Sequence, residues 1–194
     1  MLTRFKTRSG AASTRVALVI GGALCVLAPI VSAQQDDNAT DDRWGVLTYF
    51  VGKWVGEGSG LGGASSVTHR FETVMDGQFI RWTTTSVTKP QEANPEGETH
   101  EDIGFISFDE LRTRYVLRQF LSEGYVNTYE LVSTGDDGRT LTFETVDVEG
   151  LPDGWRARMT LAIKGETTFV WHLELGPPEQ DYFECRTGQM ERDN

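Results

Sequence analysis

The sequence predicts an all-β fold: a single antiparallel up-and-down β-barrel of about ten strands, with a short N-terminal helix and a signal peptide before it. From Lys53 onward, about ten segments are rich in Val, Ile, Thr and aromatic residues. Clusters of Gly, Asp, Pro and Asn separate these segments at the spacing of a meander. An open sheet of that size would have two unprotected edges, and closure into a barrel removes both. A two-sheet sandwich is the alternative architecture.

Residues 1–33 have the composition of a secretory signal peptide. They contain basic residues and no acidic ones, are apolar from Val16 to Ile30, and end in the small-residue cleavage pattern Val31-Ser32-Ala33. The apolar run is shorter than the roughly 20 residues that a membrane-spanning helix needs. We therefore expect a periplasmic or secreted protein with no stable membrane insertion after cleavage. A retained anchor and lipid attachment at Cys25 are the alternatives.

The charge of the chain excludes one class of partner. The net charge is −11, and loss of the signal segment, with its basic residues Arg4, Lys6, Arg8 and Arg15 and no acidic residue, makes it −15. Such a surface repels phosphate backbones, so we expect no nucleic-acid partner. Only Cys185 lies beyond the predicted cleavage site, which rules out an internal disulfide in the processed chain.

Turn signals locate the elements of the barrel domain, which we expect to span residues 44–194. The polar, acidic residues 34–43 predict a disordered leader, and apolar residues at positions 44, 47, 50 and 51 predict a short helix that closes one barrel end. Tight turns are predicted at 76–77, 135–138 and 164–166. The long connection 89–99 is a candidate cavity rim. The strands that these signals define are 66–75, 78–87, 114–121, 124–133, 139–146, 155–163, 167–175 and 181–189.

Strand faces indicate which residues point inward. In the segment 155–163, Trp155, Ala157, Met159, Leu161 and Ile163 share one face, as alternation in a half-buried strand requires. The segment 114–121 instead mixes polar and apolar residues on both faces. Either the barrel interior is partly polar around a cavity, or Arg118 simply reaches solvent. Both interpretations stay open.

The segment Phe50-Val51-Gly52-Lys53-Trp54-Val55-Gly56-Glu57-Gly58 resembles the opening of the calycin barrels, which include the lipocalins and fatty-acid-binding proteins. It is most similar to the nitrobindin-like barrels, which start with Gly-x-Trp-x-Gly-Glu-Gly. The segments 100–108, 115–120 and 123–127 resemble a group of uncharacterised bacterial exported proteins that share a domain of unknown function. These resemblances imply a fold rather than an activity.

The resemblance also raises the question of heme. Nitrobindins hold heme through a proximal histidine in a C-terminal segment, and this chain has no histidine after Glu174. Heme binding in that mode is therefore not expected, and we predict no cofactor. If heme is bound, His172 is the residue that the sequence assigns to it, although a strand histidine is more commonly a hydrogen-bonded structural residue.

Candidate ligand-binding residues are the cationic and aromatic side chains of several strands. An arginine inside an apolar barrel needs an anionic partner, either a ligand carboxylate or a glutamate of this chain, and we favour the glutamates Glu72, Glu130, Glu144 and Glu174. Arg156 and Arg158 belong to the same group of arginines. The predicted ligand-binding residues are Arg81, Trp82, Tyr115, Arg118, Tyr129, Trp171 and His172.

Evidence for catalysis or a metal site is weak in this sequence. His69, His100 and His172 lack metal-ligand spacing, so no metal is predicted. His100 beside Glu101 and Asp102, and His172 with Glu174, suit proton transfer, but we favour a solvated acidic strand end in the first case and a cross-strand ion pair in the second. No catalytic residue is assigned. We expect a carrier or sensor for a small amphipathic molecule, and the alternatives are a heme-binding or catalytic barrel and a filled barrel that binds a protein partner.

Overall fold

A computed structural model describes residues 42–193 of the chain. The predicted signal peptide and most of the predicted leader lie outside these residues. Residues 42 and 43, which we assigned to the leader, belong to the N-terminal helix. The elements are a 3-10 helix, Asp42–Phe50, and the strands β1 (Gly52–Gly60), β2 (Ser65–Val74), β3 (Phe79–Thr88), β4 (Glu98–Asp109), β5 (Arg114–Leu121), β6 (Val126–Ser133), β7 (Thr140–Glu149), β8 (Arg156–Ile163), β9 (Thr168–Gly176) and β10 (Phe183–Arg192).

The ten strands form a closed antiparallel barrel in which each strand pairs with its neighbours along the chain. β1 pairs with β2 on one side and with β10 on the other, so the first and last strands of the chain are not edge strands. This closure confirms the predicted barrel and excludes the sandwich. The predicted turn at residues 76–77 is also confirmed, since Met75, Asp76 and Gly77 all have positive φ, at 53°, 54° and 78°.

The helix covers one end of the barrel, which we call the closed end. Trp44, Leu47 and Phe50 are buried there. The Trp44 indole donates a hydrogen bond to the carbonyl oxygen of Gly77 at 2.9 Å, and the Tyr49 hydroxyl donates to that of Gly165 at 3.1 Å. The helix is thus fastened to the β2–β3 and β8–β9 turns. No helix among residues 42–193 is long and apolar enough to cross a membrane.

A dense apolar core fills the closed end above the helix. Trp54 is fully buried, with its ring centroid 4.9 Å from that of Phe169. Its indole donates a 2.6 Å hydrogen bond to the carbonyl oxygen of Phe50. Other strand residues of this core include Phe71, Ile80, Ile106, Leu117, Leu141, Phe143, Leu161, Phe169 and Met190.

Glycines in β1 and β10 allow bulky side chains to lie against their backbone. A Cβ atom on Gly56 would sit 2.0 Å from the carbonyl oxygen of Gln189. One on Gly188 would sit 2.6 Å from Nε1 of Trp171. These positions therefore require glycine, and the Gly-rich first strand has a packing role.

Candidate functional site: a cavity at the barrel mouth

A cavity of about 360 Å³ occupies the half of the barrel opposite the helix. We call that end the mouth, and the connections 61–64, 89–97, 122–125, 150–155 and 177–182 lie there. Glu123 and Arg156 line the cavity and are exposed, so the cavity opens to solvent at this end. The predicted rim loop lies at the mouth, but its residues 89–97 do not line the cavity.

One wall of the cavity is apolar. It is built from the end of β7, the β7–β8 connection, β8 and β9. The inward side chains of β8 follow the alternation predicted for the segment 155–163. Its residues include Val148, Leu151, Trp155, Ala157, Met159 and Leu173.

The opposite wall comes from strands β2 to β6 and carries most of the polar side chains of the cavity, among apolar and aromatic ones. His69 on β2 is paired with Thr84 on β3, and Thr84 with Asp102 on β4, so these residues form one inward row across three strands. Gln119 and Asn127 are paired with each other on β5 and β6, and both line the cavity. The cavity is therefore amphipathic, with a polar and an apolar side.

His69 is held by hydrogen bonds that define its protonation. Its Nδ1 lies 3.2 Å from the indole nitrogen of Trp82 and 3.0 Å from the hydroxyl of Thr84. Because an indole N–H can only donate, Nδ1 accepts, and the neutral ring carries its proton on Nε2. Burial lowers the pKa of His69 to about 4, so the ring is neutral at pH 7.

The buried Asn127 and Tyr129 side chains are also neutral hydrogen-bonding groups. The Asn127 amide donates a 3.0 Å hydrogen bond to the Tyr129 hydroxyl. Burial raises the pKa of Tyr129 above its ordinary value, so the phenol stays protonated. Buried atoms with no hydrogen-bond partner among the described residues include Nε2 of His69, Oγ of Ser86, Oδ1 of Asp102 and Nε1 of Trp171, and all four residues line the cavity.

Ionisable side chains gather at the rim. His100 lies between two carboxylates, with Nε2 3.5 Å from Asp102 and Nδ1 2.6 Å from Glu123. Hydrogen bonding to Asp102, and then to Glu123, raises the pKa of His100 against the opposing effect of burial. Glu98, His100 and Glu123 place their ligand atoms within 4.8 Å of one another, as a bound cation would require. Glu98 is already paired with Arg186 at 3.2 Å, so ion pairing accounts for this cluster.

Three of the seven predicted ligand-binding residues line the cavity: Trp82, Tyr129 and Trp171. They come from β3, β6 and β9, and the barrel brings them together. All three are at most 7% exposed.

The structure places Arg81, Arg118 and His172 on the outer face, which corrects the expectation that they point inward. Each is adjacent in sequence to an inward residue (Trp82, Gln119 or Trp171), and successive residues of a strand face opposite sides. His172 interacts there with the Glu184 carboxylate at 2.9 Å. Arg118 reaches solvent, and Gln119 makes the interior polar, so both interpretations of the mixed segment 114–121 hold.

Tyr115 lies near the closed end rather than at the cavity. Its ring stacks on that of Trp44, with centroids 6.1 Å apart, and its hydroxyl donates to the carbonyl oxygen of Arg43. Tyr115 shares a face with Gln119 but sits four residues nearer the helix. Its position along the strand, rather than its face, removes it from the site.

Arg81 and Arg158 pair with glutamates of this chain, but not inside the barrel, where we expected such pairs. Arg81 is paired with Glu72, and Arg158 with Glu144 at 2.8 Å and Glu174 at 3.6 Å. These pairs lie on the barrel exterior. Two arginines line the cavity, Arg156 and Arg186, and both are at its rim.

His69 and Asp102 are cavity residues that the sequence prediction missed. His69 shares a strand face with Val67 and Phe71, so alternation along β2 could have placed it inward. Asp102 gave no such signal, because its charge suggested an exposed strand end.

Comparisons with known proteins support the fold alone. No protein-family model matches the sequence, and no curated protein matches it. The chain is similar in structure to Rv2717c from M. tuberculosis, with a TM-score of 0.55 and 15% sequence identity over 78% of this chain and 98% of that one. A designed fluorescence-activating β-barrel (TM-score 0.40, 13% identity, 75% and 95% covered) and the S-type phycobiliprotein lyase CPES from Guillardia theta (0.46, 10%, 76% and 90%) are more distant. The chain is a ten-stranded antiparallel barrel similar to that of Rv2717c.

Proposed function

We propose that this protein is an exported small-molecule-binding barrel, a carrier or sensor that holds a small amphipathic ligand in the mouth cavity. The observation that carries the proposal is the cavity itself: about 360 Å³, apolar on one wall and polar on the other. Ligand pockets have volumes of roughly 300–1,000 Å³ and combine apolar linings with a few placed polar groups. A ligand would partner the buried polar atoms that have no partner in the described residues.

The two other functions considered have less support. A barrel filled with side chains would not leave this cavity. His172, the heme ligand that the sequence assigned, lies on the outer face. His69 does line the cavity, but its Nε2 carries a proton and offers no lone pair to iron or to a substrate proton.

Filling the cavity tests the proposal directly. Aminoanthracene, a neutral fluorophore, is expected to bind the purified protein and gain fluorescence. Ala157 is 3% exposed and faces the cavity, so a phenyl ring in Ala157→Phe takes space that the ligand needs. We expect the Ala157→Phe variant to bind aminoanthracene at least about tenfold more weakly, which corresponds to about 1.4 kcal/mol.

The control is Thr160→Phe, which adds the same ring to the same strand on its outer face. We expect this variant to bind as the unsubstituted protein does. Equal loss in both variants would place the binding site elsewhere, and no binding by the unsubstituted protein would contradict the proposed function.

Export is tested separately from binding. The proposed signal peptide predicts that protein recovered from the periplasm or medium of the producing cell starts at Gln34. N-terminal sequencing of the recovered protein checks this. Protein that stays in the cytoplasm with Met1 in place would contradict export and leave the binding proposal unaffected.

A further inference from the structure

The polar side of the cavity carries negative rather than positive charge. Asp102 faces the cavity with a side chain that is 7% exposed. The cavity's two arginines, Arg156 and Arg186, lie at the rim, and both already interact with other side chains of the protein. Arg156 packs over the Tyr182 ring at 4.8 Å, and Arg186 is paired with Glu98. His69, in the same row as Asp102, is neutral.

The carboxylate of Asp102 is only half satisfied by the protein. Its Oδ2 lies 3.5 Å from Nε2 of His100, which shares its charge with Glu123. Its Oδ1 is buried and has no partner within residues 42–193. A buried carboxylate oxygen without a donor is costly, and a charged donor is the partner that stabilises it most.

The surroundings of Asp102 favour a cation over an anion. Trp82, Trp155 and Trp171 line the same cavity, and aromatic faces attract cations. The net charge of −11 also raises the local concentration of cations and repels anions. The imidazole of His100 is the cationic group beside Asp102, and it is already held between Asp102 and Glu123, so it is not free to pair with a buried ligand carboxylate.

We propose that the cavity selects a cationic amphiphile, an amine with an apolar tail, and that Asp102 is the residue that recognises its ammonium group. This inference rests on the proposed function and specifies its ligand class. The ammonium donates to Oδ1 of Asp102, and the tail lies against the apolar wall of β8 and β9. Simple carboxylates of the same length are rejected.

A matched pair of probes tests the selectivity. Decylamine and decanoate have equal chain length and opposite head-group charge at neutral pH, and each can be titrated against bound aminoanthracene. We expect decylamine to displace the fluorophore at a concentration at least about tenfold lower than decanoate, since a hydrogen bond to a buried charge is worth that much.

Two variants that each remove one negative charge from β4 test whether Asp102 causes the preference for decylamine over decanoate. Asp102→Asn is expected to weaken decylamine binding about tenfold and to strengthen decanoate binding severalfold. A gain for decanoate cannot arise from a misfolded variant. The control Glu101→Gln removes the same charge from the adjacent, outward-facing position and is expected to change neither affinity.

Three results would overturn the inference. The first is a decanoate affinity equal to or above that of decylamine in the unsubstituted protein. The second is an unchanged preference in Asp102→Asn, and the third is a change in Glu101→Gln as large as that in Asp102→Asn. In each case aminoanthracene still binds, and the proposed function stands. If aminoanthracene itself does not bind, the proposed function is wrong, and the inference that rests on it is wrong as well.

Discussion

The free energy of unfolding is expected to fall by about 3 kcal/mol as the pH is lowered from 6.5 to 4, through His69 alone. Burial lowers the pKa of His69 from 6.5 in the unfolded chain to about 4 in the barrel. Between these values the unfolded state binds one more proton than the folded state does. The stabilisation is therefore fully present above pH 6.5 and is lost as the pH falls toward the folded-state pKa.

Substitution of His69 separates its contribution to the pH dependence of stability from the contribution of the carboxylates. His69→Phe keeps a planar ring among Phe71, Trp82, Phe169 and Trp171 but cannot titrate. Urea denaturation at several pH values measures the free energy of unfolding of both proteins. Between pH 6.5 and 4 we expect it to fall by about 3 kcal/mol less in His69→Phe than in the unsubstituted protein.

The matched control is His172→Phe, because His172 is exposed on the outer face. We expect it to preserve the steep loss of stability in acid. If the His69→Phe and unsubstituted curves ran parallel, His69 would not be a buried neutral histidine, and the structure of the polar wall would need revision.

The second large effect concerns the closed end. Trp54→Ala is expected to lower the free energy of unfolding by about 3–5 kcal/mol, as large-to-small changes in a packed core do. Trp54 is fully buried, hydrogen-bonded to Phe50, and covered by the Arg192 guanidinium at 4.2 Å from its ring. Its removal leaves a cavity between the helix and β1 that the surrounding strands cannot close.

Urea denaturation of Trp54→Ala beside Leu111→Ala measures this effect. Leu111 is 98% exposed in the β4–β5 turn, so its truncation should change stability by less than about 0.5 kcal/mol. A loss of less than about 1 kcal/mol for Trp54→Ala would show that the helix end is not part of the cooperative core.

The sequence predicted more of the fold than of the site. The turn residues and alternating strands predicted the meander, and their count made closure the economical arrangement. The predicted site mixed the two faces of three strands, since it combined Arg81 with Trp82, Trp171 with His172, and Tyr115 with Arg118. Adjacent residues of a regular strand point to opposite sides of the sheet, and only at the rim does a long side chain such as Arg156 reach the cavity beside its neighbour. Charge and size suggested ligand binding for these residues, but the strand face and the position along the strand determine whether a residue reaches the cavity.

By itself, the sequence determined the all-β class, the approximate number and the order of the strands, and the hairpin turns. Only the tertiary structure decided that His69, Thr84 and Asp102 form one row and that Tyr115 lies below the cavity. Periodicity acts along one strand and is visible in sequence. Register is the pairing of residues on neighbouring strands, and the closed barrel sets it. Residues that are distant in sequence therefore meet only after the barrel has formed.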